Sequence, residues 1–417
     1  MIKTINSWGN NFREDINWLN KFPEDKSKIL IFGNNNSYGD ASIPLESQTV
    51  NVENLNRDMY YLSPLINLDK YMYEHKNMLY GIPGKNNVTL GGAVASDVHG
   101  KDGIWGGSFI ENINEVCLIL PNGDKVICSE NKNKELFEAT CGGFGLTGAI
   151  VGLKLKQSPL IYSSNYQVVS KKGHGLNKLL SSFPELENQY AVAWVDLLSE
   201  SYKWVIEISQ PISSISKKEI FKEHTSKELN ISVPFIGDNK FKSMKRINST
   251  YFYLKNNKQK VKDFKDTFYP LGFFSNTKNI VKNRKIIQIQ FSIAAAYEKK
   301  LPELLELLIY KQNPILCSIK RITTKKKRLN LSFVQNGWTV AVDFPEINFD
   351  HTSIRKFYIK LIEMEGKIYL AKDSTLLPSE FKEMYTQHEK WKTVVKKADP
   401  LNMFQSKMSY RLDLKEW

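Results

Sequence analysis

Gly84-Lys-Asn-Asn-Val-Thr-Leu-Gly-Gly-Ala-Val-Ala-Ser-Asp-Val-His-Gly-Lys-Asp-Gly103 is the stretch on which the reading of this chain turns. It combines small residues, a turn-prone start and one imidazole in a segment that reads as buried. Gly84, Gly91, Gly92, Gly100 and Gly103 lack the Cβ atoms that hold a ligand away from the backbone, and they allow φ > 0 where amides must turn toward it. Two readings stand side by side: a tight turn before a core strand, and a backbone laid against a flat polar ligand. Small residues at this density serve packing more often than binding, so the choice rests on the other segments.

Two other segments share the pattern. Ile29-Leu-Ile-Phe-Gly-Asn-Asn-Asn-Ser-Tyr-Gly-Asp40 reads as a buried strand over Ile29 to Phe32 that runs into a loop of Gly, Asn and Ser. Such a loop can turn successive N–H groups into one concavity for phosphate oxygens, and Asn enters the left-handed region more readily than most residues. Glu138 to Gly152 feeds a second small-residue turn into the apolar strand Ala149 to Leu155. Within it Gly143-Phe-Gly-Leu-Thr-Gly148 satisfies G-x-G-x-x-G, but a strand follows where a βαβ dinucleotide site needs a helix.

Together these segments resemble the FAD-linked oxidases of the vanillyl-alcohol oxidase type. Short matches follow the family's order along the chain: Ser37-Tyr-Gly-Asp40, Ala95-Ser-Asp-Val-His-Gly-Lys101, Gly107-Ser-Phe109, Gly142 to Gly148, Ala193-Trp-Val-Asp196, Gln288-Ile-Gln290, Gly337-Trp338, Val342-Asp-Phe-Pro345, Ala371-Lys-Asp-Ser374 and Asp399-Pro400. They resemble the decaprenylphosphoryl-β-D-ribose oxidase branch. The resemblance implies an α+β, two-domain FAD-binding fold of the PCMH type with a mixed-sheet substrate cap. Residues 1–162 and 367–417 would form the FAD domain and 163–366 the cap, with flavin between them.

The resemblance also assigns residues. The loop Gly33, Asn34, Asn35, Asn36, Ser37 and Tyr38 would hold the pyrophosphate. Gly84, Thr89, Gly92, Ser96, Asp97, His99, Gly100, Gly103, Gly106, Gly107, Gly148, Ile150 and Gln288 would line the cofactor. His99 is either a hydrogen-bonded core residue or, as the family implies, a neighbour of the flavin without a proton-transfer role. Related oxidases attach flavin through a His at the position of Asn36, so noncovalent FAD is expected; the Arg of the resembling branch is missing there too, which leaves the pyrophosphate to backbone amides. Tyr38, Gln290, Lys320, Tyr369 and Lys372 would surround the sugar, with Lys372 and Tyr38 as catalytic residues. Lys372 suits proton acceptance or alkoxide stabilisation, and Lys320 suits phosphate. Trp194 reads equally as core packing or as a wall of the site. The family's electrophile-trapping cysteine is Ala341 here, and the region between Asn54 and Gly84 is shorter than the family pattern.

Composition agrees with such a protein. A chain of 417 residues exceeds what one core usually supports, so two domains are expected. Cys117, Cys128, Cys141 and Cys317 form no CxxC pair, which disfavours a zinc site or a disulfide framework and favours a reducing, cytoplasmic setting. No apolar run approaches the roughly 20 residues that span a bilayer, so membrane contact would be peripheral. The net charge of +14 attracts polyanions. Its densest cluster, Lys325-Lys-Lys-Arg328, lacks aromatic interleaving and a binding module, which argues against nucleic acid. That cluster is a solvated loop or a surface for anionic lipid or a lipid-linked sugar phosphate.

Further strands are expected near Thr49 to Val52, over Val116 to Leu120 and Lys125 to Cys128 around a Pro121-Asn-Gly-Asp124 hairpin turn, and over Ala191 to Leu197 and Trp204 to Ser209. Residues 296–310 and 375–398 read as helices. The expected chemistry is oxidation of a secondary hydroxyl, at C2 of a lipid-phosphate-linked or phosphorylated pentofuranose, to a keto sugar. An NAD(P)H-dependent keto-sugar reductase would complete an epimerisation serving cell-wall or surface polysaccharide synthesis. The alternatives are a soluble alditol or aldonolactone oxidase of the same fold, and a non-catalytic protein that binds flavin or polyanions.

Overall fold

The computed structural model describes residues 1–55, 60–103, 105–212, 240–255, 257–269, 285–324 and 330–415. The Lys325 to Arg328 cluster lies outside them. Three sheets organise the chain. In the first, β1 (Ile2–Asn6) is antiparallel to β2 (Arg13–Leu19), and β2 is parallel to β3 (Gln48–Val50). The second has β4 (Ile113–Ile119) between β5 (Lys125–Cys128) and β6 (Ala149–Leu155), both antiparallel to it. The turn joining β4 to β5 is closed by the Leu120 and Gly123 N–H groups, and Gly123 takes φ +88°, a conformation that suits glycine.

The third sheet has eight strands: β7 (Asn165–His174), β8 (Tyr190–Asp196), β9 (Lys203–Pro211), β10 (Lys260–Asp263), β11 (Ile286–Ala294), β12 (Leu316–Ile322), β13 (Gly337–Pro345) and β14 (Lys367–Ile368). Their order is β10-β7-β9-β8-β12-β13-β11-β14. The expected mixed sheet is not found here: every pairing described in this sheet is antiparallel. The reason lies in the sequence, since period-two alternation marks a sheet with one apolar face, as antiparallel sheets have.

That alternation positions the site. Ile287, Ile289, Phe291 and Ile293 of β11, Trp338, Val340, Val342 and Phe344 of β13, Cys317 and Ile319 of β12, and Ala193 and Val195 of β8 all join one buried cluster. Leu301, Leu304, Leu305 and Leu308 of helix Leu301–Ile309, and Phe357, Tyr358 and Leu361 of helix Ile354–Glu363, belong to the same cluster. Each large apolar side chain so buried contributes about 1.5–3 kcal/mol. A slip of one residue in any strand would exchange its two faces, so this apolar layer sets the register. The intervening polar residues therefore all point to the opposite face.

Several local expectations change. Ile29 to Phe32 forms no strand; Ile29 makes only an isolated parallel bridge to Phe404. Residues 296–310 divide into a 3-10 turn (Ala295–Lys300) and a helix (Leu301–Ile309), where Pro302 suits the first helical turn. Residues 375–398 divide into helices Pro378–Met384 and His388–Ala398. In the shortened region, Leu62 bridges to Leu153 of β6. Segregated helices and largely antiparallel sheets make the chain α+β. All four cysteines are buried and none is in a disulfide, and no described helix is long and apolar enough to cross a membrane.

Candidate active site

Register across β11, β13, β12 and β8 builds one wall. Gln288 lies opposite Asp343, Gln290 opposite Ala341, Lys320 opposite Thr339, and Trp194 opposite Ser318. Residues paired across antiparallel strands share a face, so these side chains form a polar surface behind which the apolar layer sits. Gln288 Nε2 donates to Asp343 Oδ1 at 2.5 Å. Gln290 Nε2 is 3.0 Å from Thr339 Oγ1 and 2.7 Å from His99 Nε2.

His99 reaches this wall from the glycine-rich segment. It is 4 % exposed and packs against Phe333 and Tyr369, with ring centroids 5.1 and 4.9 Å away. Burial, reinforced by Lys320 and Lys372, holds its pKa well below the usual range, so the ring is neutral at pH 7. With Gln290 as donor its Nε2 accepts, which places the ring proton on Nδ1. Nδ1 is buried and has no partner among the described residues. A buried donor left without an acceptor is costly, and an acceptor group of a bound ligand would satisfy it.

Lys372 and Tyr38 meet from distant parts of the chain. The Tyr38 N–H donates to Ala371 O at 3.1 Å, and Lys372 Nζ lies 4.0 Å from the Tyr38 ring centroid. Gly39 is required at this crossing, because a Cβ there would fall 1.7 Å from Asp373 O. Burial lowers the Lys372 pKa to about 7; Lys320 adds to that effect and Asp343 opposes it. Burial likewise lowers Lys320 to about 8 against Asp102, and raises Asp343 to about 6 against its hydrogen bond from Gln288 and the charge of Lys372. Burial and Asp343 push the Tyr38 phenol up. The site thus places two lysines that lose protons readily beside a carboxyl group that holds one unusually well. Perturbed groups of this kind collect where chemistry is done.

The Gly33 to Ser37 loop has the character of an anion cradle. Asn34 Nδ2 donates to Asn87 Oδ1 at 2.6 Å, Asn36 Nδ2 donates to Asn87 O at 2.7 Å, and Asn35 takes φ +50°. Among the described residues the backbone N–H groups from Gly33 to Ser37 meet no acceptor. Beside them runs helix Leu90–Ala95, capped by Thr89, whose Oγ1 accepts from Gly92 N–H at 3.2 Å. Asp97 is pinned by Ser108 Oγ at 2.9 Å and Ile110 N–H at 3.2 Å, and Ser96 O accepts the Tyr369 hydroxyl at 2.8 Å. Row of amides, neighbouring helix start and orphaned imidazole fit a cofactor with phosphate and hydrogen-bonding ring groups.

Several of these glycines are required by contacts within the protein. A Cβ at Gly91 would meet Pro64 Cβ at 2.8 Å, one at Gly100 would meet Asp102 Oδ1 at 2.4 Å, and those at Gly33, Gly106 and Gly107 would meet Thr89, Asp102 and Glu111. These glycines let protein approach protein on the side where a Cβ would stand. Gly84 and Gly103 have nothing within 4 Å of an added Cβ, and Gly103 has φ +66°. Within the glycine-rich segment these two positions leave open space where a side chain would stand. Gly148 (φ +153°) leads into β6, where Ile150 is buried.

The structure brings together Tyr38, His99, Gln288, Gln290, Lys320, Tyr369 and Lys372. Trp194 shares their sheet face, but its ring packs edge-on against Tyr251, with centroids 4.8 Å apart. The expectation omitted Asp343, Thr339 and Phe333, although Asp343 lay inside the quoted Val342-Asp-Phe-Pro345. It also omitted Lys101, 6 % exposed, whose Nζ donates to Thr267 O at 2.7 Å and whose pKa burial lowers to about 7.

Comparison with curated proteins identifies the chain as an FAD-dependent oxidoreductase. It is 26% identical over 349 residues, 80% of this chain and 75% of the other, to decaprenylphosphoryl-beta-D-ribose oxidase of Mycolicibacterium smegmatis. It is 34% identical over 119 residues to an uncharacterized protein in the mprA 5' region of Streptomyces coelicolor, covering 28% of this chain and 32% of that one. A third match, 29% over 90 residues, is to cytokinin dehydrogenase 9 of Oryza sativa subsp. japonica and covers 20% of this chain and 17% of the relative. No family model matches the chain.

Proposed function

We propose that this protein oxidises a secondary hydroxyl, at C2, of a polyprenylphosphate-linked or phosphorylated pentofuranose to a keto sugar, using noncovalently bound FAD. The observation that carries this reading is the meeting of Lys320, on the polar face of the third sheet, with Lys372, in the turn that follows β14, beside Gln290 and the neutral His99. Bound FAD supplies the hydride acceptor. Residues 1–162 and 367–417 hold it, through the Gly33 to Ser37 amides, the open edge at Gly84 and Gly103, and His99 Nδ1. Asn36 carries no nucleophile for a covalent link. Residues 163–366 bear the substrate wall.

The chain's own residues then manage position and proton. Gln290, Tyr369 and Trp194 orient the sugar ring, and Lys320 holds the phosphate as a point charge. With a pKa of about 7, the Lys372 amine takes the hydroxyl proton and, as an ammonium, stays beside the forming carbonyl oxygen. Tyr38, stacked under Lys372, keeps that amine in place. A keto sugar becomes an epimer only on reduction, so an NAD(P)H-dependent reductase is the partner that completes the sequence in surface-polysaccharide synthesis. The basic surface, with the Lys325 to Arg328 cluster, would hold the enzyme peripherally at the cytoplasmic face of the membrane.

Two measurements test this reading. Denaturation should release intact FAD into the supernatant; flavin left on the precipitate, or FMN, contradicts noncovalent FAD. In anaerobic single turnovers a polyprenylphosphoryl pentose should bleach the flavin faster than free alditols or aldonolactones. Bleaching by the free sugars alone would move the protein to a soluble alditol or aldonolactone oxidase.

A further inference from the structure

A charge cluster built on two buried carboxylates joins the segments that carry Lys372 and Tyr38. Arg411, in the last turn of helix Lys407–Arg411, donates from Nε to Asp40 Oδ2 at 2.8 Å and from Nη2 to Asp40 Oδ1 at 2.9 Å. The same Nη2 donates to Asp373 Oδ2 at 2.9 Å, and Nη1 donates to Leu376 O at 2.8 Å. Asp40 and Asp373 are 1 % and 0 % exposed. Asp40 stands two residues after Tyr38, and Asp373 stands one after Lys372. Between them Gly39 packs against the Asp373 carbonyl so closely that no side chain fits. One guanidinium therefore ties together the two backbone segments that present the stacked pair.

We propose that Arg411 is the positioning residue of the active site, holding Lys372 against Tyr38 by clamping Asp40 and Asp373. Asp373 is anchored independently, its Oδ1 accepting from the Thr375 and Leu376 N–H groups at 2.8 and 3.0 Å. Asp40 depends on the guanidinium for both of its carboxylate oxygens. Loss of the fork consequently frees the Tyr38 loop, and Lys372 loses the ring that shields it from water. The titratable groups facing Lys372 are Asp343 from β13 and Lys320 from β12, with the neutral His99 across the site and Asp373 next in the chain. None of them changes when Arg411 becomes lysine, so a shift in Lys372 titration reports position. The proposal rests on Lys372 as the proton acceptor, but its test needs no substrate.

The test is competitive acylation of the FAD-loaded protein with trace acetic anhydride across pH, with Lys372 followed by peptide mass spectrometry. Arg411→Lys keeps the charge and loses the bidentate fork. It should raise the labelling midpoint of Lys372 by one pH unit or more and slow flavin reduction about tenfold at pH 7, with bound FAD unchanged. Asp40→Asn guards against a variant that fails to fold. Losing a negative charge by itself lowers a lysine's pKa, whereas losing the clamp raises it, so an upward shift in Asp40→Asn supports the proposal. An unchanged or lowered midpoint in both variants overturns it. Failure of the sugar substrate to bleach the flavin would leave the labelling result intact and would count against the proposed function alone.

Discussion

Lys372→Met is the perturbation on which the proposed chemistry depends most directly. An ordinary lysine, near 10.5, has roughly one neutral amine in 3,000 at pH 7, whereas Lys372, lowered to about 7, has about half. Burial thus converts a cation into a usable base at neutral pH, and the flavin-reduction rate should rise with pH through a midpoint near 7. Lys372→Met removes the amine but keeps a stem that covers the Tyr38 ring, so FAD should remain bound. Anaerobic stopped-flow reduction should slow by roughly 10²–10⁴-fold, the range expected for losing acid–base catalysis, and the rise near pH 7 should vanish. Lys372→Arg, which stays protonated, should be nearly as slow. Asp343→Asn should move the wild-type midpoint downward, because the Asp343 carboxylate is the group that raises the proton affinity of Lys372. Near-native reduction by Lys372→Met, or a midpoint near 7 that persists in it, would refute the reasoning.

Three further outcomes follow from particular contacts. Gly84→Ala should leave the denaturant midpoint within error, since nothing lies within 4 Å of the added Cβ, yet weaken FAD binding severalfold in a flavin titration; unchanged affinity would take Gly84 off the cofactor surface. Lys415→Met should destabilise the fold by about 3–5 kcal/mol in equilibrium denaturation, because the Lys415 Nζ to Asp399 Oδ2 pair at 2.5 Å is 0 % exposed on both sides; a loss below about 1 kcal/mol would show that the Met403 and Phe404 N–H groups suffice for Asp399. Replacing Lys325, Lys326, Lys327 and Arg328 by Gln should reduce co-sedimentation with anionic vesicles without changing flavin content, and salt should weaken the wild-type binding because exposed charges are screened; unchanged sedimentation would make the cluster a solvated loop.

The sequence by itself determined the faces of the third sheet. Ile287-Gln-Ile-Gln-Phe291 and Trp338-Thr-Val-Ala-Val-Asp-Phe344 alternate strictly, and period two decides which side of a strand meets a core wherever its neighbours in space turn out to be. The Gly-Asn loop at 33–37 and the Asn-Gly turn at 121–124 were likewise legible, since turn chemistry is local. Ile29 to Phe32 misled because an apolar run needs a partner strand to become one, and Ile29 found a single bridge. Which glycines are demanded by packing within the protein was not legible either: Gly91 and Gly84 look alike in sequence, and only Pro64 beside the first and open space beside the second separate them. The same holds for the basic residues, of which there are 58. The tertiary structure alone decided that Lys320 and Lys372 are half-buried near Asp102 and Asp343, and that Arg411 joins Asp40 to Asp373. A side chain's proton affinity depends on the water and charges within a few ångströms of it, and here those are supplied by separate segments of the chain, as when Asp102 of the glycine-rich stretch faces Lys320 of β12.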